Sequence, residues 1–272
     1  MKYHLEHSGE NKNYKLFNFL NLKSLFKNDL IRRFYSIAIF VLFWSLIANL
    51  INDTKLLPSP AEVMASIKYH ASQELFQNIT ITLYRVFASF FIAMIIGTAI
   101  GLVMGRKKTF DDYFDGWLIL ALNIPALVTI ILCFIWFGLN EMAAIIAVAI
   151  NKIPTVTVII REGAKALDNR LIDIGKIYKL SKLSILKRII LPQLFPYIIS
   201  AARSGLALIW KIVLVVELLG RSNGVGFKIN EFFSMFDTTS ILAYTLTFVV
   251  FVMAIEWFGI KPLEKKLTEW RR

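Results

Sequence analysis

The sequence has few of the residues on which redox and metal chemistry depend. It contains one cysteine and three histidines in 272 residues, so an internal disulfide is impossible and metal or thiol chemistry is not expected. Cys133 lies inside an apolar run, and His4, His7 and His70 lie outside all such runs. No G-x-x-x-x-G-K-[ST] segment occurs, which excludes the common phosphate-binding loop. We therefore predict no catalytic residue, no metal site and no cofactor bound by this chain.

Charged residues are also scarce, at 18% of the chain, whereas 57% of the residues are hydrophobic and 22 are phenylalanine. This composition is too apolar for an ordinary soluble domain. A net charge of +12 would suggest nucleic acid in a soluble protein. Here the basic residues lie between apolar runs, which indicates orientation in a membrane instead. The polar first 33 residues show no cleavage site after a short apolar core, so we expect no removable signal peptide.

Six apolar segments are long enough to cross a bilayer as helices, which requires about 20 residues. They are Phe34–Asn52, Ile79–Met104, Trp117–Phe137, Met142–Ile160, Tyr197–Leu219 and Ile241–Ile260. The third and fourth are joined by a tight connection over 138–141. This pattern predicts an all-α, polytopic membrane bundle. We expect an N-terminal tail over 1–33, a membrane domain over 34–265 and a C-terminal tail over 266–272.

Basic residues are distributed unequally between the two sides of these six segments. Counting tails and loops, 23 lysines and arginines fall on the side of the termini and four on the other. Because positively charged loops remain in the cytoplasm, both termini are predicted to be cytoplasmic.

Two local patterns predict helix features. Ser59, Pro60 and Glu62 form a capping box that should start an amphipathic helix running to about Phe76. This helix is either a membrane-surface element or a docking surface for an external protein. Small residues four apart put a groove on one face of the second span, which favours close helix packing. They are Gly97, Gly101 and Gly105.

Charged and helix-breaking residues also occur within the spans. Pro125 and Pro154 interrupt the backbone hydrogen bonds of the third and fourth spans. A lysine at mid-membrane depth should face protein or a water-filled path, so Lys152 either pairs with an acid such as Glu217 or lines a path that favours anions. Glu217 itself has possible partners in Lys211, Arg221 and Lys152, or it couples an ion. The candidate path residues are Asn151, Lys152, Lys211 and Glu217.

A basic, amphipathic segment lies between the fourth and fifth spans, within residues 161–196. We expect a first short helix from Asp173 to about Lys179, and a second capped by Ser181 or Ser184. Held by anionic lipid, such a segment would be an interfacial helix. Alternatively, another protein binds it.

At these residues the chain resembles the permease subunits of bacterial ATP-binding-cassette importers, in the nitrate/sulfonate/taurine-type branch. The cytoplasmic loop of that family has a characteristic pattern. It begins with E-A-A, continues with three residues, a glycine and nine further residues, and ends with I-x-L-P. Asp173-Ile174-Gly175 stands at its start, and Ile189-Ile190-Leu191-Pro192 at its end. Further family-like pieces follow in order over about residues 55–265, including Leu57-Pro58-Ser59-Pro60, Trp136-Phe137-Gly138 and Gly224-Val225-Gly226. Lys179 departs from the family because it replaces the loop glycine, and it must adopt a positive φ or change the turn.

The resemblance implies a type I importer, MetI-like permease fold and a multi-pass location in the bacterial inner membrane. Its coupling helix would contact an ATPase subunit through Asp173, Ile174, Gly175, Ile177, Tyr178 and Lys179, with Ile189, Leu191 and Pro192 ending the loop. The implied partners are two ATPase subunits that carry ATP and Mg, an external solute-binding protein, a second permease copy and membrane lipid. No nucleic-acid partner is expected. A small anion such as a sulfonate or nitrate is favoured as the solute, because basic residues outnumber acids in the spans. The branch also leaves pyrimidine-type precursors and other small organic solutes open.

Two other classes of protein fit the residues less well. An ion-coupled secondary transporter should carry paired carboxylates within its spans, but only Glu217 and Glu256 are available here. A membrane enzyme should show a cluster of His, Asp and Glu within the spans, and the sequence has none.

Overall fold

The computed structural model of the chain describes residues 29–260 and 262, and every regular element within them is helical. The predicted all-α class is therefore confirmed. The structure divides into two compact units, Met1–Pro60 and Ala61–Arg272. Most of the predicted tail over 1–33 and all of the tail over 266–272 lie outside the described residues.

Eleven α-helices and two π-helical turns make up the described part of the chain. The helices are α1 (Asp29–Ile51), α2 (Pro60–Ala71), α3 (Leu75–Arg106), α4 (Lys108–Asn123), α5 (Ala126–Phe137), α6 (Glu141–Lys165), α7 (Asn169–Ile177), α8 (Lys182–Ile185), α9 (Leu191–Gly220), α10 (Val225–Ser234) and α11 (Thr238–Ile255). The π turns, Leu186–Ile190 and Glu256–Ile260, continue α8 into α9 and extend α11.

Four of the described helices are long and apolar enough to span a membrane: α3, α6, the continuous helix Lys182–Gly220, and Thr238–Gly259. The predicted third span is wrong as a single helix, because α4 and α5 meet at a 95° bend. Pro125 disfavours helical backbone at the residue before it, and Ile124 is accordingly extended, with φ −69° and ψ 123°. If this bent pair is counted as one broken span, the described residues contain five candidate spans.

The first predicted span coincides with α1, which belongs to the first unit. Its apolar part, Tyr35–Ile51, is at the short end of the length that crosses a bilayer. Within the same unit, the Trp44 indole N–H donates to the backbone carbonyl of Pro58 at 3.0 Å. This bond ties the segment that follows α1 back to the helix.

The core of the second unit lies where α3, α6 and α9 pack together. The stripe of small residues on α3 faces α6: a Cβ at Gly97 would lie 2.7 Å from Val156 Cβ, and one at Gly101 would lie 2.6 Å from the Thr157 carbonyl oxygen. A Cβ at Gly105 would similarly lie 2.5 Å from Ala164 Cβ. The absence of side chains at these positions therefore sets how closely the two helices approach.

Helix α2 packs on α11 and is shorter than the sequence predicted. It ends at Ala71 rather than near Phe76, since a turn over Ser72 and Gln73 separates it from α3. Val63 is buried, and the His70 imidazole Nε2 lies 2.9 Å from the Ser240 hydroxyl. One face of α2 is thus occupied by contacts within the chain.

Candidate functional site

The loop between α6 and α9 contains the first group of predicted site residues. Helix α7 starts at Asn169, four residues before the predicted start at Asp173. The reason is a cap that the prediction missed: the Asp168 carboxylate accepts a hydrogen bond from the Arg170 backbone N–H at 2.8 Å. Asp173 instead lies inside the helix and forms an exposed 2.7 Å ion pair with Lys176.

The C-terminus of α7 is closed by a Schellman motif. The Leu180 N–H donates to the Gly175 carbonyl at 3.0 Å, and the Lys179 N–H donates to the Lys176 carbonyl at 2.9 Å. A Schellman motif requires a left-handed conformation at the residue that follows the C-cap. Here that residue is Lys179, which has φ 51°. Lysine therefore adopts the conformation that glycine would take more readily.

Gly175 brings α7 against the helix that follows it. A Cβ there would lie 2.7 Å from Ile189 Cδ1 and 3.3 Å from Ile185 Cγ1. Ser181 caps α8 by accepting from the Ser184 N–H at 3.2 Å, which is one of the two predicted caps. Leu191 and Pro192 form the first turn of α9. The loop is thus a compact helical hairpin that leads directly into α9.

The outer face of this hairpin exposes large apolar side chains beside the Asp173–Lys176 ion pair. Ile177 and Tyr178 each retain 77% of their accessible surface, and Ile174 retains 48%. Ile172 and Gly175 are buried on the opposite face. A fixed, short helix that presents large apolar side chains to solvent is typical of a protein-binding surface.

We expect the strain at Lys179 to be measurable. Changing Lys179 to glycine should stabilise the α7 turn by about 0.5–1 kcal/mol, because a left-handed residue costs about 1–2 kcal/mol and glycine entropy offsets part of the gain. Lys179→Val should weaken the turn, since a β-branched residue tolerates positive φ poorly. Hydrogen exchange at the Leu180 amide should slow in the first variant and quicken in the second. Equal exchange in both would contradict the assignment of strain.

The predicted path residues differ in their exposure. Asn151 is half-buried, Lys152 is 2% exposed, Lys211 is exposed and Glu217 is fully buried. The pairing considered between Lys152 and Glu217 does not occur. Instead, the Arg85 guanidinium donates to a Glu217 carboxylate oxygen at 2.7 Å.

Arg85 is the centre of an ion cluster that the sequence reasoning missed. Its guanidinium also donates to both carboxylate oxygens of Glu141 at 2.7 and 2.9 Å, and to the carbonyl and side chain of Asn223. Arg221 bonds Glu141 at 2.9 Å. We call Arg85, Glu141, Glu217, Arg221 and Asn223 the Arg85 cluster. The only signal in the sequence was an arginine inside an apolar span.

The Arg85 cluster also holds the backbone that follows α9. Glu217 accepts hydrogen bonds from the Thr82 hydroxyl at 3.0 Å and from the Gly226 N–H at 2.8 Å. Gly224 has φ 102°, and a Cβ on it would lie 2.5 Å from the Glu217 carboxylate. The Glu217 oxygens are therefore occupied by partners within the chain.

Among residues 29–260 and 262, no group of three or more His, Cys, Asp or Glu side chains is arranged to hold a metal ion.

Comparison with known proteins supports a role in transport. Residues 93–259 match the family described as "Binding-protein-dependent transport system inner membrane component". A Bacillus subtilis protein provisionally named aliphatic sulfonates transport permease protein SsuC is 28% identical over 236 residues, which cover 86% of this chain and 85% of that protein. The taurine transport system permease protein TauC of Escherichia coli is 25% identical over 242 residues, which cover 86% of this chain and 88% of that protein.

The fold also matches a solved structure. A structure of the inward-facing MetNI methionine ABC transporter aligns with a TM-score of 0.64 at 16% identity, covering 72% of this chain and 96% of that chain. The MetI-like fold expected from the sequence is thereby confirmed.

Proposed function

The chain belongs to the family of binding-protein-dependent transport system inner membrane components, and we propose that two identical copies of it form the solute path of an importer in a bacterial inner membrane. It is a permease subunit of an ATP-binding-cassette importer, and a separate subunit hydrolyses ATP. Family membership implies ATPase and solute-binding partners. We propose that Mg and ATP bind only to the ATPase. The ion-coupled transporter considered from the sequence is not retained.

The observation that carries the proposed mechanism is the exposed apolar tip of α7. We propose that Ile174, Ile177 and Tyr178 insert into a cleft on the ATPase, while Asp173 and Lys179 flank the contact. Large apolar side chains on a rigid helix lose little conformational entropy on binding. The Schellman turn and the Gly175 contact supply that rigidity.

The connections of this hairpin explain how a movement of α7 would reach the membrane. Helix α6 ends at Lys165, only three residues before the α7 cap. On the other side, the chain runs as one helix from Lys182 to Gly220, which ends beside the Arg85 cluster. A displacement of α7 by the closing ATPases would therefore move α6 and α9 together, as rigid-body alternating access requires.

Replacing Ile177 with aspartate tests this assignment. Because Ile177 is exposed, the fold should be unchanged, whereas burying a charge in an apolar cleft is unfavourable. We expect the ATPase to co-purify poorly with the variant, and ATP-driven uptake in reconstituted vesicles to fall about tenfold, which corresponds to roughly 1.4 kcal/mol.

The matched control is Phe233→Asp. Phe233 is 65% exposed but lies on α10, at the predicted external side, so this variant should keep its ATPase. Full ATPase recovery and full uptake with Ile177→Asp would contradict the coupling role of α7. Loss of the ATPase from both variants would indicate a general folding defect. The milder variant Ile177→Ser would then replace Ile177→Asp. It should still lower the amount of ATPase that co-purifies if the apolar tip of α7 is the contact.

We propose that the solute is a small organic anion of the sulfonate type. The names of the relatives point to sulfonates and taurine. Lys211 supports this charge preference: it is exposed on α9, nine positions before Gly220, which is about 14 Å along the helix and near the bilayer midplane. Since a charge at that depth does not face hydrocarbon without a large cost, we assign its face to the path between the two copies. Glu217 is left out of the path.

A further inference from the structure

Lys152 is a buried cation for which the described residues supply no partner. Its side chain is 2% exposed. Among residues 29–260 and 262, no hydrogen bond or ion pair reaches its ammonium group. Glu217, the acid that the sequence suggested as its partner, is paired with Arg85 instead. Burying an ammonium group without a partner is expensive. A buried polar group of this kind requires an explanation, such as a ligand that binds it.

The surroundings of Lys152 provide room that the other buried glycines of the described residues lack. A Cβ built on Gly205 would lie 3.6 Å from Lys152 Cε and 3.8 Å from Phe90 Cε2, with nothing else within 4 Å. These are ordinary van der Waals distances, whereas a Cβ at Gly97 or Gly101 would collide with α6. Helices α3, α6 and α9 thus leave a small space beside the Lys152 side chain that their packing does not need.

We propose that Lys152, Phe90 and Gly205 form a binding site for the anionic head group of the transported solute; this rests on the proposed function. The Lys152 ammonium supplies the charge, Gly205 lets the head group approach the α9 backbone, and the Phe90 ring bounds the space on the α3 side. Lys152 is eleven positions after Glu141, the first residue of α6, or about 16 Å from that helix end. Lipid phosphates do not lie at this depth, which favours a free anion.

The neighbouring proline provides the means of widening this space. Pro154 lies two positions after Lys152 within α6. Because proline lacks a backbone N–H, the Ile150 carbonyl loses its helical donor and α6 can bend there. A space that accepts a methyl group in the present conformation would then open to a sulfonate when the spans move.

Thermal unfolding of the full-length chain in detergent tests the site, with methanesulfonate as the probe. Dimethyl sulfone, which is similar in shape and uncharged, is the matched ligand control. We expect methanesulfonate to raise the Tm of the wild type by about 5–10 °C at a hundredfold excess over its Kd. Dimethyl sulfone should not.

Two variants remove the two parts of the site separately. Lys152→Met removes the charge at similar volume and should abolish the rise, while increasing Tm without ligand. Gly205→Ala fills the space, keeps the charge and should also abolish the rise. Lys108→Met, an exposed lysine at the start of α4, should retain it.

An equal rise in the wild type and in Lys152→Met would overturn the site. So would the absence of any methanesulfonate effect on the wild type, since the probe carries the proposed head group. Neither result bears on the importer function, which is tested by ATPase co-purification. If Lys152→Met does not fold, Gly205→Ala decides the question, because its side chain meets only ordinary contacts.

Discussion

Changing Arg85 to methionine is expected to lower the free energy of unfolding by about 3–5 kcal/mol, because it leaves a buried carboxylate uncompensated. Arg85 is 1% exposed and Glu217 is fully buried. Arginine provides the fork of donors that holds Glu217, Glu141 and Asn223 together. Without it, Glu217 keeps only the Thr82 hydroxyl and the Gly226 N–H. Methionine retains much of the apolar packing, so the loss reports mainly on charge.

The measurement is unfolding of the purified chain in mixed micelles, followed by helical signal. A second variant that also changes Glu217 to glutamine should recover part of the loss, since it removes the unpaired charge. The control is Lys176→Met, which breaks an ion pair whose two side chains are 65% and 63% exposed. Such a surface pair should contribute almost nothing. A loss below about 1 kcal/mol for Arg85→Met would show that Glu217 is not held as a buried ion.

The Arg85 cluster also determines which parts of the second unit move together. It joins α3, α6 and α9 to the turn that starts α10; its residues lie ten positions after the start of α3, at the first residue of α6 and in the last turn of α9. The opposite ends of α6 and α9 lead into the α7 hairpin. Because one end is tied by charges and the other carries the proposed ATPase contact, bending is expected between them. Pro154 in α6 lies in that interval.

The positions of the apolar helices could be predicted from the sequence, because length and hydropathy are local properties. Of the six predicted spans, four coincide with described helices long and apolar enough to cross a membrane, and a fifth coincides with the bent pair. The bend within the third predicted span could not be. Pro125 indicated an interruption of the backbone ladder, but a proline gives either a kink or a sharp turn, and the choice depends on neighbouring helices. Pro154, in contrast, remains inside a continuous α6.

Charge pairing was the least predictable feature of the site. The sequence left Glu217 either paired with Lys152, Lys211 or Arg221 or coupling an ion. Its partner, Arg85, is 132 residues away in the chain. Only packing decides among them. Lys179 was more tractable, because the backbone requirement is local: the structure shows a positive φ, which was one of the two expected alternatives.

The stripe of small residues on α3 gives the second large effect. Changing Gly101 to alanine should destabilise the chain by about 1–3 kcal/mol through overpacking, after allowance for the better helix propensity of alanine. The new Cβ would lie 2.6 Å from the Thr157 carbonyl oxygen and 3.1 Å from the Arg161 backbone nitrogen. Backbone atoms cannot rotate away as a flexible side chain can, so α3 and α6 must separate.

Gly205→Ala is the matched control, since it is the same change within a buried span. Its Cβ meets only ordinary contacts, and alanine is favoured over glycine in a helix by about 1 kcal/mol. In mixed-micelle unfolding without ligand, we therefore expect a lower free energy of unfolding for Gly101→Ala and an equal or higher one for Gly205→Ala. Two variants that shift in the same direction would mean that the contact between α3 and α6 does not limit how closely these helices pack.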